Sequence, residues 1–202
     1  MPLRSGAGAG RRRRADSVVS MTEARTTYTA TDLTAAAHER FEVGLASARS
    51  AVSEHGLMIG HASQPGSLEP VTERNPARLD ERLGQFAQGS DEDIARAVAA
   101  ARASQPAWAQ RTIDERIDVL EGVAGEVARR AGMLAAVLTL EVGKTRLESV
   151  GEVDESVELI RYYCGCAAAG FDLRLDGEPG TRNLSVMRPF GVFGVIVPFN
   201  FP

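Results

Sequence analysis

The residues whose types and order suggest chemistry lie at the end of the chain, where Pro-Phe-Asn-Phe-Pro occupies residues 198–202. Residues 192–197 before it form an apolar, largely β-branched run, the composition of a strand buried on both faces of a sheet. The two prolines restrict the backbone on either side of Asn200. The pattern therefore predicts Asn200 just beyond the carboxyl end of a strand, the edge of an α/β sheet where ligands bind.

Asn200 has two interpretations. Its side-chain amide can donate a hydrogen bond to a carbonyl oxygen that becomes negative during attack, and a donor fixed beforehand loses little to reorganisation. Alternatively, Asn200 is a capping residue in a proline-rich turn. The residues of the turn alone leave both interpretations open.

The other reactive side chains predict structure rather than catalysis. Cys164 and Cys166 lie near the end of an apolar helix and have the character of small buried residues, so neither is assigned as a nucleophile. His38 and His55 have no second ligand at metal-binding spacing in the sequence, and we predict no metal site. The carboxylates of residues 148–158 do not alternate with His or Cys, which favours a solvated acidic helix face.

The elements that would position the terminal turn are mostly helices. Apolar residues at helical spacing predict a first helix from residue 31. Two short β runs, residues 68–74 and 82–88, predict an exposed hairpin. Ser90 opens a helix that Pro106 is expected to end. Its predicted buried stripe is Ile94, Ala97, Val98 and Ala101.

The spacing of apolar residues predicts further helices as far as residue 166. Thr112 and Glu115 form a capping box, the signature of a helix start. Gly143-Lys144-Thr145 is not a phosphate loop, because Leu138 stands where that motif requires glycine. A helix from about Arg146 carries an inward stripe of Val150, Val153, Val157 and Ile160.

Length and composition restrict the class of protein. With 202 residues, 44% of them apolar, the chain is long enough for a core. The net charge of −4 gives no support to nucleic-acid binding, and no apolar run reaches the length of a membrane span. The two cysteines cannot form the disulfide framework of a secreted domain, so we expect a cytoplasmic protein.

The first twenty residues differ from the rest. Residues 1–20 are rich in Gly, Ala and Arg, with four consecutive arginines and little to bury, and are predicted to be a disordered leader. Met21 is the expected true start. We expect residues 21–56 to form an N-terminal helical segment and residues 57–202 to form the beginning of a larger α/β domain.

Several separated motifs resemble those of the aldehyde dehydrogenase superfamily. Residues 188–202 are similar to the segment that opens its NAD(P)-binding domain. Other matches follow in the family's order: residues 74–76, 93–108, 115–116, 141–144 and 148–152. Phe199 departs from the commoner tryptophan. The resemblance is strongest to the branch that oxidises glutamate γ-semialdehyde, also called 1-pyrroline-5-carboxylate dehydrogenase.

The resemblance implies a fold and a reaction. The chain would comprise the N-terminal helical part of the cofactor domain, a β-hairpin and the first strand of a Rossmann-like sheet. The reaction would oxidise an aldehyde to the carboxylic acid through a cysteine thiohemiacetal, with NAD or NADP as acceptor. By position in the motif, Asn200 matches the oxyanion donor, while Ile196, Val197, Pro198 and Phe199 match residues lining the cofactor. The parent is expected to be a homo-oligomer.

The resemblance also implies that the chain stops inside the first cofactor motif, without the nucleophilic cysteine and the general-base glutamate. We therefore expect these 202 residues alone neither to bind NAD tightly nor to oxidise aldehydes. Two alternatives stay open: a CoA-acylating semialdehyde dehydrogenase, and a non-catalytic helical fragment that docks on a partner.

Overall fold

The computed structural model describes residues 26, 30–51, 53–170 and 173–201. The predicted leader and Met21 lie outside these residues. In chain order the elements are α1 (Ala35–Ser50), β1 (Glu54–His55), β2 (Leu57–Ile59), β3 (Ala62–Gln64), β4 (Leu68–Asn75), β5 (Arg78–Gln88), α2 (Asp91–Gln110), α3 (Ile113–Arg129), α4 (Ala131–Val142), α5 (Arg146–Ala169), β6 (Leu173–Leu175) and β7 (Asn183–Ser185). The predicted mixture of helices and short strands is confirmed.

The core lies where α1, α4 and α5 meet. Phe41 is 1% exposed, and Arg146 lies over its ring, with the guanidinium carbon 4.6 Å from the ring centroid. Val150 and Val153 of the stripe predicted for α5 face this core. Its buried members are Leu33, Ala37, Phe41, Ala135, Ala136, Val150 and Val153.

The predicted hairpin is present and its turn is tighter than expected. β4 and β5 pair antiparallel, and β1 adds to β5 in parallel. Asn75 is buried; its Oδ1 accepts the Ala77 N–H at 2.9 Å, and its Nδ2 donates to Glu81 at 2.7 Å. Because an Asn side chain can close a turn on the backbone two residues ahead, the strands extend to Asn75 and resume at Arg78.

α2 differs from the sequence prediction in two respects. Pro106 lies inside the helix, which continues to Gln110. The missing hydrogen bond is tolerated because this part of α2 faces solvent, where water can satisfy the freed carbonyl. The predicted buried stripe is also wrong, since Ile94 is exposed and the buried residue of α2 is Asp93.

Asp93 joins α2 to the start of the hairpin. Its Oδ2 accepts the Ser90 N–H at 2.9 Å and the Ser67 N–H at 3.1 Å, and its Oδ1 accepts from Arg96 at 2.5 Å. These contacts, led by the Ser90 N–H, hold the pKa of Asp93 well below its ordinary value. The ionised carboxylate therefore stabilises the folded chain.

We expect Asp93→Asn to lower the free energy of unfolding at neutral pH. A depressed folded-state pKa contributes stability above the ordinary pKa of 3.8, and this contribution is lost as the pH falls below that value. Denaturant unfolding of both proteins from neutral to strongly acidic pH should show the difference narrowing below 3.8. Asp91→Asn, in the same first turn but exposed, is the control; a pH-independent difference would contradict the role of the charge.

α1 and α4 approach closely at two glycines. A Cβ built on Gly44 would overlap the Gly132 carbonyl, and one on Gly132 would overlap the Arg40 carbonyl. Gly132 lies inside α4, since the preceding residue Ala131 begins the helix. Gly132 therefore allows the α1 and α4 backbones to touch.

Gly44→Ala is expected to destabilise the chain by about 1–3 kcal/mol, because the added methyl forces the α1 and α4 backbones apart. Gly125→Ala on α3 is the matched control, since its Cβ would meet no atom within 4 Å. That control should stabilise the helix by roughly 0.5–1 kcal/mol. Denaturant unfolding followed by circular dichroism measures both; equal effects would contradict the close approach.

The predicted first strand of a Rossmann-like sheet, residues 192–197, is not formed in this structure. Residues 192–197 adopt no regular secondary structure, and Val195 and Ile196 are among the exposed apolar side chains. A strand requires a pairing partner, and none of the described strands lies in a sheet with this segment. Apolar and β-branched composition alone does not make a strand.

Candidate functional site

The segment that carries Asn200 ends in a hydrogen-bonded turn. The Phe201 N–H donates to the Pro198 carbonyl oxygen at 3.2 Å, which places Phe199 and Asn200 at the turn's two central positions. Asn200 is exposed. Its amide is thus presented to solvent on a closed turn, a geometry that both interpretations of Asn200 share.

The predicted cofactor-lining residues lie directly before and within this turn. Ile196 is 98% exposed and Phe199 is 90% exposed, and Val197 and Pro198 are exposed as well. The structure therefore brings these four side chains and Asn200 together in one accessible segment. Their roles stay predictions.

The segment contacts the helices at both ends. Upstream, residues 189–194 and α2 line an open groove of about 480 Å³, with Val98, Arg102 and Gln105 on the helix side. Downstream, the ring of Phe201 lies under the Lys144 ammonium, with the nitrogen 4.2 Å from the ring centroid. Lys144 in turn forms an ion pair with Glu152.

The sequence did not predict the ion pair between Lys144 and Glu152. The sequence predicts no chemistry for Lys144 and places Glu152 on a solvated acidic face. The Glu152 side chain is 11% exposed and that of Lys144 is 14% exposed. A signal was present for Glu152, because helical spacing puts it three residues after the buried Ser149 and beside the stripe residue Val153.

The two cysteines have different surroundings. Cys164 is 3% exposed, and burial raises the pKa of its thiol. A raised pKa disfavours the thiolate, which is the nucleophilic form. Cys166 is half-buried. The environment of Cys164 is that of a structural residue.

The histidines show no arrangement for a metal. His55 stacks on Phe86 with ring centroids 4.7 Å apart, and its Nε2 lies 3.2 Å from the Ser53 hydroxyl. Within residues 26, 30–51, 53–170 and 173–201, no three His, Cys, Asp or Glu side chains form a group that could hold an ion. No helix in these ranges has the length and apolar character of a membrane span.

A layer of helices beside a β-hairpin defines a mixed α/β protein. The sequence model of the aldehyde dehydrogenase family matches residues 63–202. The chain belongs to that family, which confirms the resemblance given by its motifs.

Individual relatives and solved structures agree with the family match. The chain is 36% identical over 146 residues to an alpha-ketoglutaric semialdehyde dehydrogenase of Bacillus subtilis, covering 69% of this chain and 28% of the relative. It is 25% identical over 169 residues to a 1-pyrroline-5-carboxylate dehydrogenase of Staphylococcus epidermidis, covering 81% and 32%. A Thermus 1-pyrroline-5-carboxylate dehydrogenase with bound NAD superposes with a TM-score of 0.77 at 27% identity, covering 91% and 36%.

The chain spans about a third or less of the length of these proteins. The resemblance to the 1-pyrroline-5-carboxylate dehydrogenase branch is supported by names among both the relatives and the structures. The semialdehyde dehydrogenase of Bacillus subtilis has the higher identity of the two relatives, so the similarity is not confined to 1-pyrroline-5-carboxylate dehydrogenases.

Proposed function

We propose that this chain contributes an oxyanion-binding turn and part of a cofactor-binding surface to an aldehyde dehydrogenase. The complete enzyme oxidises an aldehyde or semialdehyde to the carboxylic acid. The observation that carries the proposal is that the family match extends through the turn of residues 198–201, where Asn200 is exposed. An amide buried against the helices would not be available to a substrate.

In this proposal Asn200 is the oxyanion donor. Attack of a thiolate on the aldehyde carbon leaves a negative oxygen, and the Asn200 NH2 donates a hydrogen bond to it. An amide suits this role because it is neutral and does not titrate near neutral pH. The thiolate is supplied by a cysteine outside these 202 residues, and a carboxylate outside them activates the water that releases the acid.

The exposed residues before Asn200 fit a dinucleotide. The four side chains at residues 196–199 are apolar. Because Ile196 and Phe199 are almost completely exposed, their surfaces are available to a flat, partly apolar ligand. A bound NAD or NADP would supply the hydride acceptor for the oxidation. These four residues would hold the cofactor in the proposed site.

The substrate is a semialdehyde in this proposal, since the relatives include both alpha-ketoglutaric semialdehyde and 1-pyrroline-5-carboxylate dehydrogenases. Glutamate γ-semialdehyde is the preferred candidate. The complete enzyme is a homo-oligomer of the cytoplasm. The 202 residues by themselves neither bind NAD tightly nor oxidise aldehydes.

The test begins with the coding sequence that follows the Pro202 codon and with expression of the protein it encodes. Reduction of NAD or NADP is then measured with glutamate γ-semialdehyde, alpha-ketoglutaric semialdehyde and simple aldehydes. Free acid as the product, formed without coenzyme A, supports the proposal. A strict requirement for coenzyme A would mean that the enzyme forms an acyl-coenzyme A instead of the free acid, and the CoA-acylating alternative would be correct. If no substrate led to reduction of NAD or NADP, the proposal would be wrong.

The 202-residue chain is the control for that assay. Calorimetric titration with NAD should give no stoichiometric binding, and the aldehydes should yield no product. Tight binding by the short chain would contradict the part of the proposal that assigns most of the cofactor site to other residues.

A further inference from the structure

Lys144 lies at the junction of two helices whose ends are both fixed. Gly143 ends α4 in the left-handed conformation at φ 80°, a conformation that glycine adopts without strain. Thr145 begins α5 with a capping box, accepting the Glu148 N–H while Glu148 accepts the Thr145 N–H. The backbone of Lys144 is therefore positioned by local structure on both sides.

The side chain of Lys144 is oriented by Glu152. The Glu152 carboxylate is mostly buried on the inner side of α5, and it pairs with the Lys144 ammonium. A charged pair with little access to water is held in place by the cost of separating its charges. The Lys144 ammonium is therefore held in one position at the surface of the helical layer.

The ring of Phe201 lies at that position. The ammonium lies 4.2 Å from the ring centroid, within the range of a cation–π interaction. Phe201 is also the residue whose N–H closes the turn on Pro198. The contact thus joins the turn that carries Asn200 to the packed helices.

We propose that Lys144, oriented by Glu152, is a positioning residue for Asn200 and acts by fixing Phe201 and the turn. Its consequence for the rate rests on the proposed function of Asn200. An oxyanion donor is effective only when it is held in place before the charge develops. In this chain residues 195–200 are exposed, and the contact between Phe201 and Lys144 joins the turn to the helices.

Two variants remove the contact in different ways. Lys144→Met removes the charge and keeps the length of the side chain. Phe201→Leu removes the ring and leaves the Lys144–Glu152 pair intact, which keeps the test informative if an unpaired Glu152 destabilises the fold. Lys144→Arg retains a cation and is the rescue variant. Arg111→Met is the matched control, because Arg111 makes a separate cation–π contact in which its guanidinium carbon lies 5.9 Å from the centroid of the Trp108 ring.

The first readout is the motion of the turn in the 202-residue chain. NMR order parameters of the Asn200 and Phe201 amides should fall in Lys144→Met and Phe201→Leu, and should stay near wild type in Lys144→Arg and Arg111→Met. Thermal unfolding of each variant establishes that the helical layer is intact. Unchanged order parameters in Phe201→Leu would overturn the proposal.

The second readout is the kinetics of the complete enzyme. Lys144→Met and Phe201→Leu should lower kcat by roughly ten- to a hundredfold, the loss expected from a slightly misplaced group, with a small change in KM. A mobile turn with unchanged kcat would overturn the positioning role. If Asn200→Ala leaves kcat unchanged, the proposed function of Asn200 fails. The order parameters would then still show whether the contact between Lys144 and Phe201 holds the turn in place. If Asn200→Ala lowers kcat and the two anchor variants do not, only the positioning inference fails.

Discussion

Asn200→Ala is expected to lower kcat of the complete enzyme by about a hundred- to a thousandfold, the usual loss when one oxyanion donor is removed. In the proposed role the amide acts on charge that develops only in the transition state, so KM should change little and kcat/KM should fall together with kcat. The loss should be independent of pH near neutrality because neither Asn nor Ala titrates. Steady-state kinetics of wild type and variant over a pH series measures both effects.

Asn183→Ala is the matched control for this substitution. Asn183 begins β7, is exposed, and donates to the Asp176 carbonyl at 3.3 Å. The same change of side chain there should leave kcat near the wild-type value. An Asn200→Ala enzyme with raised KM and normal kcat would mean that the amide binds the ground state, and the oxyanion role would be wrong.

Helix starts could be predicted from the sequence because their causes are local. At Thr112, the hydroxyl accepts the Glu115 N–H at 3.2 Å and Glu115 accepts the Thr112 N–H at 2.7 Å, as the capping box predicts. The inward stripe of α5 is also confirmed at Val150, Val153 and Val157. These features need only residues within a few positions of each other.

Features that depend on distant partners could not be read in the same way. Residues 192–197 have the composition of a buried strand, but a strand forms only where another strand pairs with it. The spacing of the apolar residues of α2 predicts a buried stripe, but helical spacing identifies a face of the helix and not what covers that face. Ile94 is exposed for that reason.

The candidate site divides in the same way. Asn200 could be proposed as a site residue from the sequence because the two prolines and the amide form one contiguous motif, and its role stays a prediction. The anchor could not be identified, because Lys144, Glu152 and Phe201 meet only through the angle between α4 and α5 and the path of the terminal segment. The near-complete burial of Glu152 is the feature that distinguishes it from the exposed Glu155 on the same helix.

Phe41→Ala is expected to destabilise the chain by about 3–5 kcal/mol, the range for removing a fully buried aromatic ring. Phe41 is 1% exposed and is the largest side chain buried to that degree among the described residues. It lies on α1, before the residues matched by the family model, yet it packs where α1 meets α4 and α5. Denaturant unfolding monitored by circular dichroism measures the change.

Val43→Ala separates this core effect from a general effect on α1. Val43 lies two residues from Phe41 and is 68% exposed, so its truncation should change stability by no more than about 0.5 kcal/mol. Similar losses in both variants would mean that α1 does not dock through Phe41. A large loss in Phe41→Ala alone would make α1 a structural support for the α4–α5 junction, where Lys144 holds the turn of Asn200 in the proposed site.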